Sequence, residues 1–191
     1  MTIQEIKQQQ RTAGIAVRSA IDVKLRGQYH AAMCRHMTTL PEFQTAKVLL
    51  SYCAVHGEAD AALIDQAARQ AGKEIAYPVC TGSGQMIAAV PESRVWMKRG
   101  RYGILEPAAG HYRIVEPTEL DFIIVPCTAF DETCLRIGMG GGYYDRYLPL
   151  CSRGFAAALA YERQKIEAAA GESHDTKLDA VVTEKTIYRT K

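Results

Sequence analysis

The 191-residue chain is 48% hydrophobic and 23% charged with a net charge of +2, a globular balance in which no apolar run approaches the roughly 20 residues that cross a bilayer. Near-neutral charge with scattered basic residues argues against a nucleic-acid partner. The opening Met1-Thr2-Ile3-Gln4-Glu5 lacks a basic segment leading into an apolar one, so no secretory signal or membrane anchor is expected and the reading is cytoplasmic, one domain with a substantial core.

Residues 2 to 40 are rich in Gln, Ala, Arg and Met and free of proline, which predicts one or two helices capping the domain. Their basic residues Lys7, Arg11, Arg18, Lys24, Arg26 and Arg35 read first as a solvated helix face. Residues 46 to 53 form an apolar run suited to a buried parallel strand, and 59 to 70 carry helical spacing up to Gly72, a β–α unit. Strands are expected at 74 to 79 and 86 to 90 around the turn Thr81-Gly82-Ser83-Gly84. Residues 91 to 117, punctuated by Gly100, Gly103, Pro107 and Gly110, read as loop with short extended pieces. A strand at 122 to 126, a helix from about Tyr143, a strand at 155 to 160 and a closing strand at 180 to 183 complete the pattern. Alternating strands and helices predict an α/β protein.

The richest stretch is Gly138-Met139-Gly140-Gly141-Gly142-Tyr143-Tyr144-Asp145. Glycine tolerates positive φ and lets backbone N–H groups close on a ligand, so the loop is suited to cradle an anion. Tyr143 follows Gly142 where a P-loop would need Lys-Ser or Lys-Thr, and it also occupies the third-glycine position of a dinucleotide fingerprint. The six cysteines form no Cys-x-x-Cys pair and the five histidines show no metal spacing, so zinc is not supported and the cysteines read as core filling.

At this octapeptide the chain resembles the 5-formyltetrahydrofolate cyclo-ligase family, also called 5,10-methenyltetrahydrofolate synthetases. Lys7 with Arg11, Gly57-Glu58-Ala59-Asp60, Gly103-Ile104-Leu105-Glu106-Pro107, Val125-Pro126, Gln164, His174-Asp175, Asp179 and Val182-Thr183-Glu184 follow in the family's order. The resemblance covers essentially the whole chain. It departs at Ala61, where the family usually has Thr, and at Ala169, where it often has Pro.

The resemblance implies an open, mostly parallel sheet with helices on both faces, a Rossmann-like three-layer arrangement with an N-terminal helical cap. It implies ATP-dependent closure of 5-formyltetrahydrofolate to 5,10-methenyltetrahydrofolate, with ATP as co-substrate, Mg2+ as cofactor and only small-molecule partners, in a monomer. It assigns ATP binding to Lys7, Arg11, Gly138, Met139, Gly140, Gly141, Gly142, Tyr143, Tyr144 and Asp145, with Arg11 and Tyr144 catalytic. Folate contacts fall to Cys53, Glu58, Glu106, Gly140, Gly141, Gly142, Tyr143 and Tyr144, and the metal to Asp145 and Asp179. From charge alone Glu58 reads sooner as a helix-dipole partner, and only the resemblance makes it a ligand; Trp96 is a weaker wall candidate. The alternatives are a folate- or nucleotide-binding regulator without turnover, or a sugar-phosphate isomerase or acyl-CoA transferase on a related sheet. Neither of those last two reactions uses ATP.

Overall fold

The N-terminal 40 residues fold as two helices, α1 (Ile3–Ser19) and α2 (Val23–Thr39), because each has its own start signal. Thr2 and Glu5 form a capping box for α1, and the Asp22 side chain accepts the Lys24 N–H to open α2. In this computed structural model residues 1–190 are described. There follow α3 (Pro41–Thr45), β1 (Val48–Leu50), α4 (Ala62–Gln70), β2 (Glu74–Gly82) and β3 (Gln85–Pro91). A small hairpin, β4 (Met97–Arg99) and β5 (Leu105–Pro107), precedes β6 (Tyr112–Val115) and β7 (Phe122–Pro126). Next come β8 (Ala129–Phe130), β9 (Arg136–Ile137) and α5 (Tyr143–Tyr147), then β10 (Phe155–Leu159), β11 (Ala180–Val182) and β12 (Ile187–Arg189).

Eight strands form one sheet in the order β12-β11-β10-β7-β1-β2-β3-β6. The five central strands, β11 to β2 in that order, run parallel, whereas β12 at one edge and β3 and β6 at the other each pair antiparallel with the preceding strand of the sheet. Alternate residues along the parallel strands point to opposite faces, and both faces are buried, which is why these segments read as unbroken apolar runs. Leu49, Phe122, Ile124, Leu159 and Val182 pack on one face with Met33 and Met37 of α2 and Ile64 of α4. Leu50, Ile123, Val125 and Ala158 pack on the other with Phe130, Tyr147 and Leu148.

The sheet agrees with the sequence reading; its second layer is thinner than expected. The helix anticipated from Tyr143 ends at Tyr147, since Pro149 and the small turn around it cannot prolong the helical ladder. The second face is therefore closed largely by turns and the β8–β9 hairpin. β8, β9 and the edge strand β12 were not anticipated, being two or three residues long. Predicted element limits also shrink: the 46 to 53 run contributes only Val48–Leu50 to the ladder, and residues 51 to 53 begin the loop over the strand's C-terminal end.

α1 does not lie on either sheet face. It crosses the C-terminal ends of the strands, seated on the segment after β7. Gly14 makes that seat possible: a Cβ there would sit 2.1 Å from the Thr128 carbonyl oxygen, so only glycine permits the backbones to touch.

Candidate functional site

The loops leaving the parallel strands open onto a cleft of about 830 Å³, at the end of an α/β sheet where ligands ordinarily bind. Its walls include Lys7 and Arg11 from α1, Cys53 and Glu58 after β1, Cys80 at the end of β2, and residues 138 to 145. Thus the structure brings together most of the residues picked from sequence, although they come from segments far apart in the chain.

On one side lies the glycine loop. Gly140 and Gly142 take φ of 90° and 64°, the left-handed region open to glycine. Arg11 Nε donates to the Gly138 carbonyl oxygen at 2.7 Å, tying α1 to the loop. Lys7, one turn earlier on the same face, is held by Glu172 at 2.8 Å and Asp175 at 2.5 Å. Burial would lower the Lys7 pKa, but the hydrogen bonds that its ammonium donates to Asp175 and Glu172 outweigh it, and the net shift is upward. The Asp175 carboxyl, also disfavoured by burial, is driven below its ordinary value by the same Lys7 contact and by the Glu172 N–H.

On the other side lies Glu58, only 8% exposed. One carboxylate oxygen accepts the Val55 N–H at 3.0 Å, and the other stands 3.8 Å from Arg18 Nη1. Burial raises its pKa, opposed by the Val55 N–H and by Arg18. Tyr144 lines the cleft beside it with its hydroxyl buried and without a hydrogen-bond partner among the described residues. Burial pushes the Tyr144 pKa up strongly, so the group stays a neutral phenol that still has a donor to give. Cys53 lines the same wall; burial raises its thiol to about 11, which keeps it protonated and unreactive at neutral pH. Tyr143 donates to the Gly82 carbonyl oxygen and meets the Tyr102 hydroxyl, each at 3.2 Å, joining the glycine loop to the β4–β5 hairpin.

Three residues fall differently from the sequence reading. Asp145 lines the cleft, but Asp179 does not. Asp179 sits at the entry to β11, where its carboxylate accepts the Ala156 N–H at 2.7 Å at the start of β10. The cleft is at the strands' exits, five residues along β10 and so roughly 15 Å away at about 3.3 Å per residue. Asp179 thus ties β10 to β11 outside the cleft lining, and Asp175 is the second aspartate that reaches the cleft. Glu106 faces the Cys80 N–H at 3.4 Å and does not line the cleft, so it braces the hairpin against β2. Trp96 stacks on His111 at 3.5 Å, remote from the cleft lining.

The residue that sequence reasoning misplaced most is Arg18. Expected on a solvated face, it is fully buried. Its spacing from Lys7 and Arg11, eleven and seven residues, returns it to the same helical stripe, and that spacing was the available signal. Asp145, for its part, pairs with the buried Arg136 at 3.1 Å and accepts the Thr176 N–H at 3.5 Å. Both contacts fall on Oδ1, which leaves Oδ2 as an oxygen donor for a hard cation.

Residues 3–184 match the model of the 5-formyltetrahydrofolate cyclo-ligase family. A 5-formyltetrahydrofolate cyclo-ligase of Haemophilus influenzae is 29% identical over 178 residues, covering 90% of this chain and 94% of its own. The Escherichia coli K12 enzyme of the same name is 30% identical, covering 80% and 86%. The solved structure of Aquifex aeolicus 5,10-methenyltetrahydrofolate synthetase superimposes with a TM-score of 0.84 at 31% identity, over 97% of this chain and 93% of that one. A Mycoplasma pneumoniae 5,10-methenyltetrahydrofolate synthetase, with a TM-score of 0.76 at 19% identity over 93% and 98% of the two chains, supports the fold alone. With its sheet, its cleft and nearly its full length accounted for, the chain belongs to the 5-formyltetrahydrofolate cyclo-ligase family.

Proposed function

We propose that the protein uses ATP and a divalent cation to cyclise 5-formyltetrahydrofolate to 5,10-methenyltetrahydrofolate. The observation that carries this reading is one cleft with a phosphate wall, made by Lys7, Arg11 and the glycine loop, facing a carboxylate wall, made by Glu58 with Tyr144. The formyl oxygen is a poor leaving group. Transfer of the γ-phosphoryl group makes it a good one: the bond between the γ-phosphorus and the β–γ bridging oxygen breaks, and a bond from phosphorus to the formyl oxygen forms. N10 then attacks the formyl carbon, its proton leaves, and the carbon–oxygen bond breaks to release phosphate.

The protein supplies placement and charge for these steps. Arg11 and the loop N–H groups hold the phosphoryl oxygens, with Arg11 reaching the transferring group. Lys7 adds a second cation once phosphate competes with Glu172 and Asp175 for it. Glu58 accepts pterin N–H groups, and the Tyr144 hydroxyl, without a partner among the described residues, hydrogen-bonds the substrate. The carboxylates of Asp145 and Asp175 offer the oxygen donors that suit magnesium, and the bound ion would neutralise phosphate charge.

Mixing the protein with 5-formyltetrahydrofolate, with and without Mg-ATP, and following the methenyl chromophore tests the reading. Product must form only with both ATP and metal. Folate binding without turnover would favour a regulator, and turnover without ATP would favour a different enzyme. Glu58→Gln should weaken folate far more than ATP, by about 1.5 to 3 kcal/mol for one charge-assisted hydrogen bond.

A further inference from the structure

Arg18 stands at a junction that the proposed chemistry does not use directly. Its guanidinium is fully buried and reaches three separate walls of the cleft. Nε donates to the His56 carbonyl oxygen at 3.2 Å, in the loop that carries Glu58. Nη1 donates to the Cys127 carbonyl oxygen at 3.4 Å, just past β7. Nη2 lies 3.9 Å from Met139 Sδ, within the glycine loop. The same Nη1 is 3.8 Å from Glu58 Oε1. A buried guanidinium is retained only where its charge and its donors are answered, and here the answering carboxylate is the one that faces the folate side of the cleft.

We propose that Arg18 is a positioning residue, which fixes the Glu58 carboxylate toward the folate and ties it to the glycine loop carrying the phosphates. The inference rests on the reading of Glu58 as the folate's carboxylate. Arg18 never meets substrate; it acts through Glu58 and the loop. Its place on the stripe of Lys7 and Arg11 means that one helix sets both halves of the cleft. The other ionisable groups around Glu58 are Tyr52, Tyr144, Tyr161, Cys127, His56 and Arg26, whose guanidinium lies against Gly57. The phenols and the thiol are all shifted upward by burial and stay neutral. Of the two arginines, Arg18 is the one whose guanidinium stands 3.8 Å from that carboxylate. Without it, burial would keep Glu58 protonated to higher pH and withdraw an acceptor from the pterin.

The test is the pH dependence of kcat/KM for 5-formyltetrahydrofolate in the full chain. Arg18→Gln keeps a donor for one carbonyl and removes the charge. Its acid limb should move up by about one pH unit or more, as expected for loss of an adjacent opposite charge, with little change in KM for Mg-ATP. Arg18→Lys keeps the charge without the fork, so its limb should stay in place while kcat/KM per folded molecule falls severalfold. It also serves if Arg18→Gln does not fold. Glu58→Gln is the control: it should abolish the limb, and adding Arg18→Gln to it should shift nothing further. A limb that survives in Glu58→Gln overturns the reading of Glu58. A limb lost there but unmoved in Arg18→Gln, or Arg18→Lys with reduced thermal stability and wild-type kcat/KM, overturns the positioning role and leaves Arg18 as packing.

Discussion

Arg11 and Gly138 stand 127 positions apart in the chain, yet the guanidinium of one donates to the carbonyl of the other at 2.7 Å. The helix and the glycine loop are therefore tied together before any ligand arrives. Arg11→Lys keeps the charge but cannot bond the carbonyl and a phosphoryl oxygen in the same planar geometry. Loss of one charged hydrogen bond, about 1.5 to 3 kcal/mol, predicts roughly a ten- to hundredfold rise in KM for ATP with little effect on folate. Equal effects on both substrates, in steady-state assays varying each, would place Arg11 outside the phosphate wall.

The Lys7 contacts with Glu172 and Asp175 predict a pH signature. Asp175 is depressed from its usual 3.8, so its contribution is complete above that value and fades as pH falls through the folded-state value below it. Lys7 is raised from 10.5, so its contribution holds below 10.5 and fades as pH climbs past it. The difference in thermal midpoint between the wild type and Asp175→Asn should be flat across the neutral range and shrink below about 3.8. A difference that persists at lower pH would mean that packing, not the ion pair, sets it.

Asp145 and Asp179 should separate cleanly by metal titration. Asp145→Asn is expected to raise the Mg2+ concentration for half-maximal activity at least about tenfold, on the loss of one charged oxygen donor. Because Arg136 is nearly fully buried, the same change should cost about 1 to 3 kcal/mol of stability. Asp179→Asn should leave the Mg2+ titration unchanged and lower only stability, since its carboxylate serves the Ala156 N–H. A shifted metal titration in Asp179→Asn would restore it to the metal site.

Tyr144 offers a test in which stability and activity move oppositely. Its hydroxyl is buried without a partner among the described residues, so Tyr144→Phe removes an unsatisfied polar group and should hold the unfolding free energy or raise it by up to about 1 kcal/mol. If that hydroxyl serves the substrate, turnover should fall by at least about tenfold, one hydrogen bond's worth. Unchanged kcat with both substrates would return Tyr144 to the core.

The sheet was legible because near-continuous apolar runs at 74 to 79, 122 to 126 and 155 to 160 mark strands buried on both faces. The glycine loop's place in the cleft was legible because glycine in that density lets a backbone close on a ligand. Arg18 was not, since a basic residue on a polar helix carries no local sign of whether its face meets water or a cleft. Nor was the choice between Asp175 and Asp179: the run from Gly171 to Leu178 has no helix or strand, so no periodicity says which carboxylate is carried to the strand exits. The β12 edge escaped for a related reason, as three residues of antiparallel pairing give too little alternation to read.

The contact at Gly14 has a consequence for how the protein can vary. A methyl group at that position would land 2.1 Å from the Thr128 oxygen, and the flush seam could open only by lifting α1. The sheet, whose core lies beneath, would remain. What would be lost is the calibration of reach for Lys7, Arg11 and Arg18 together, so a single carbon could silence catalysis in a molecule that still folds. The outer side of α1, by contrast, is open to wide substitution, because its tolerance is set by solvent and not by a backbone pressed against another backbone.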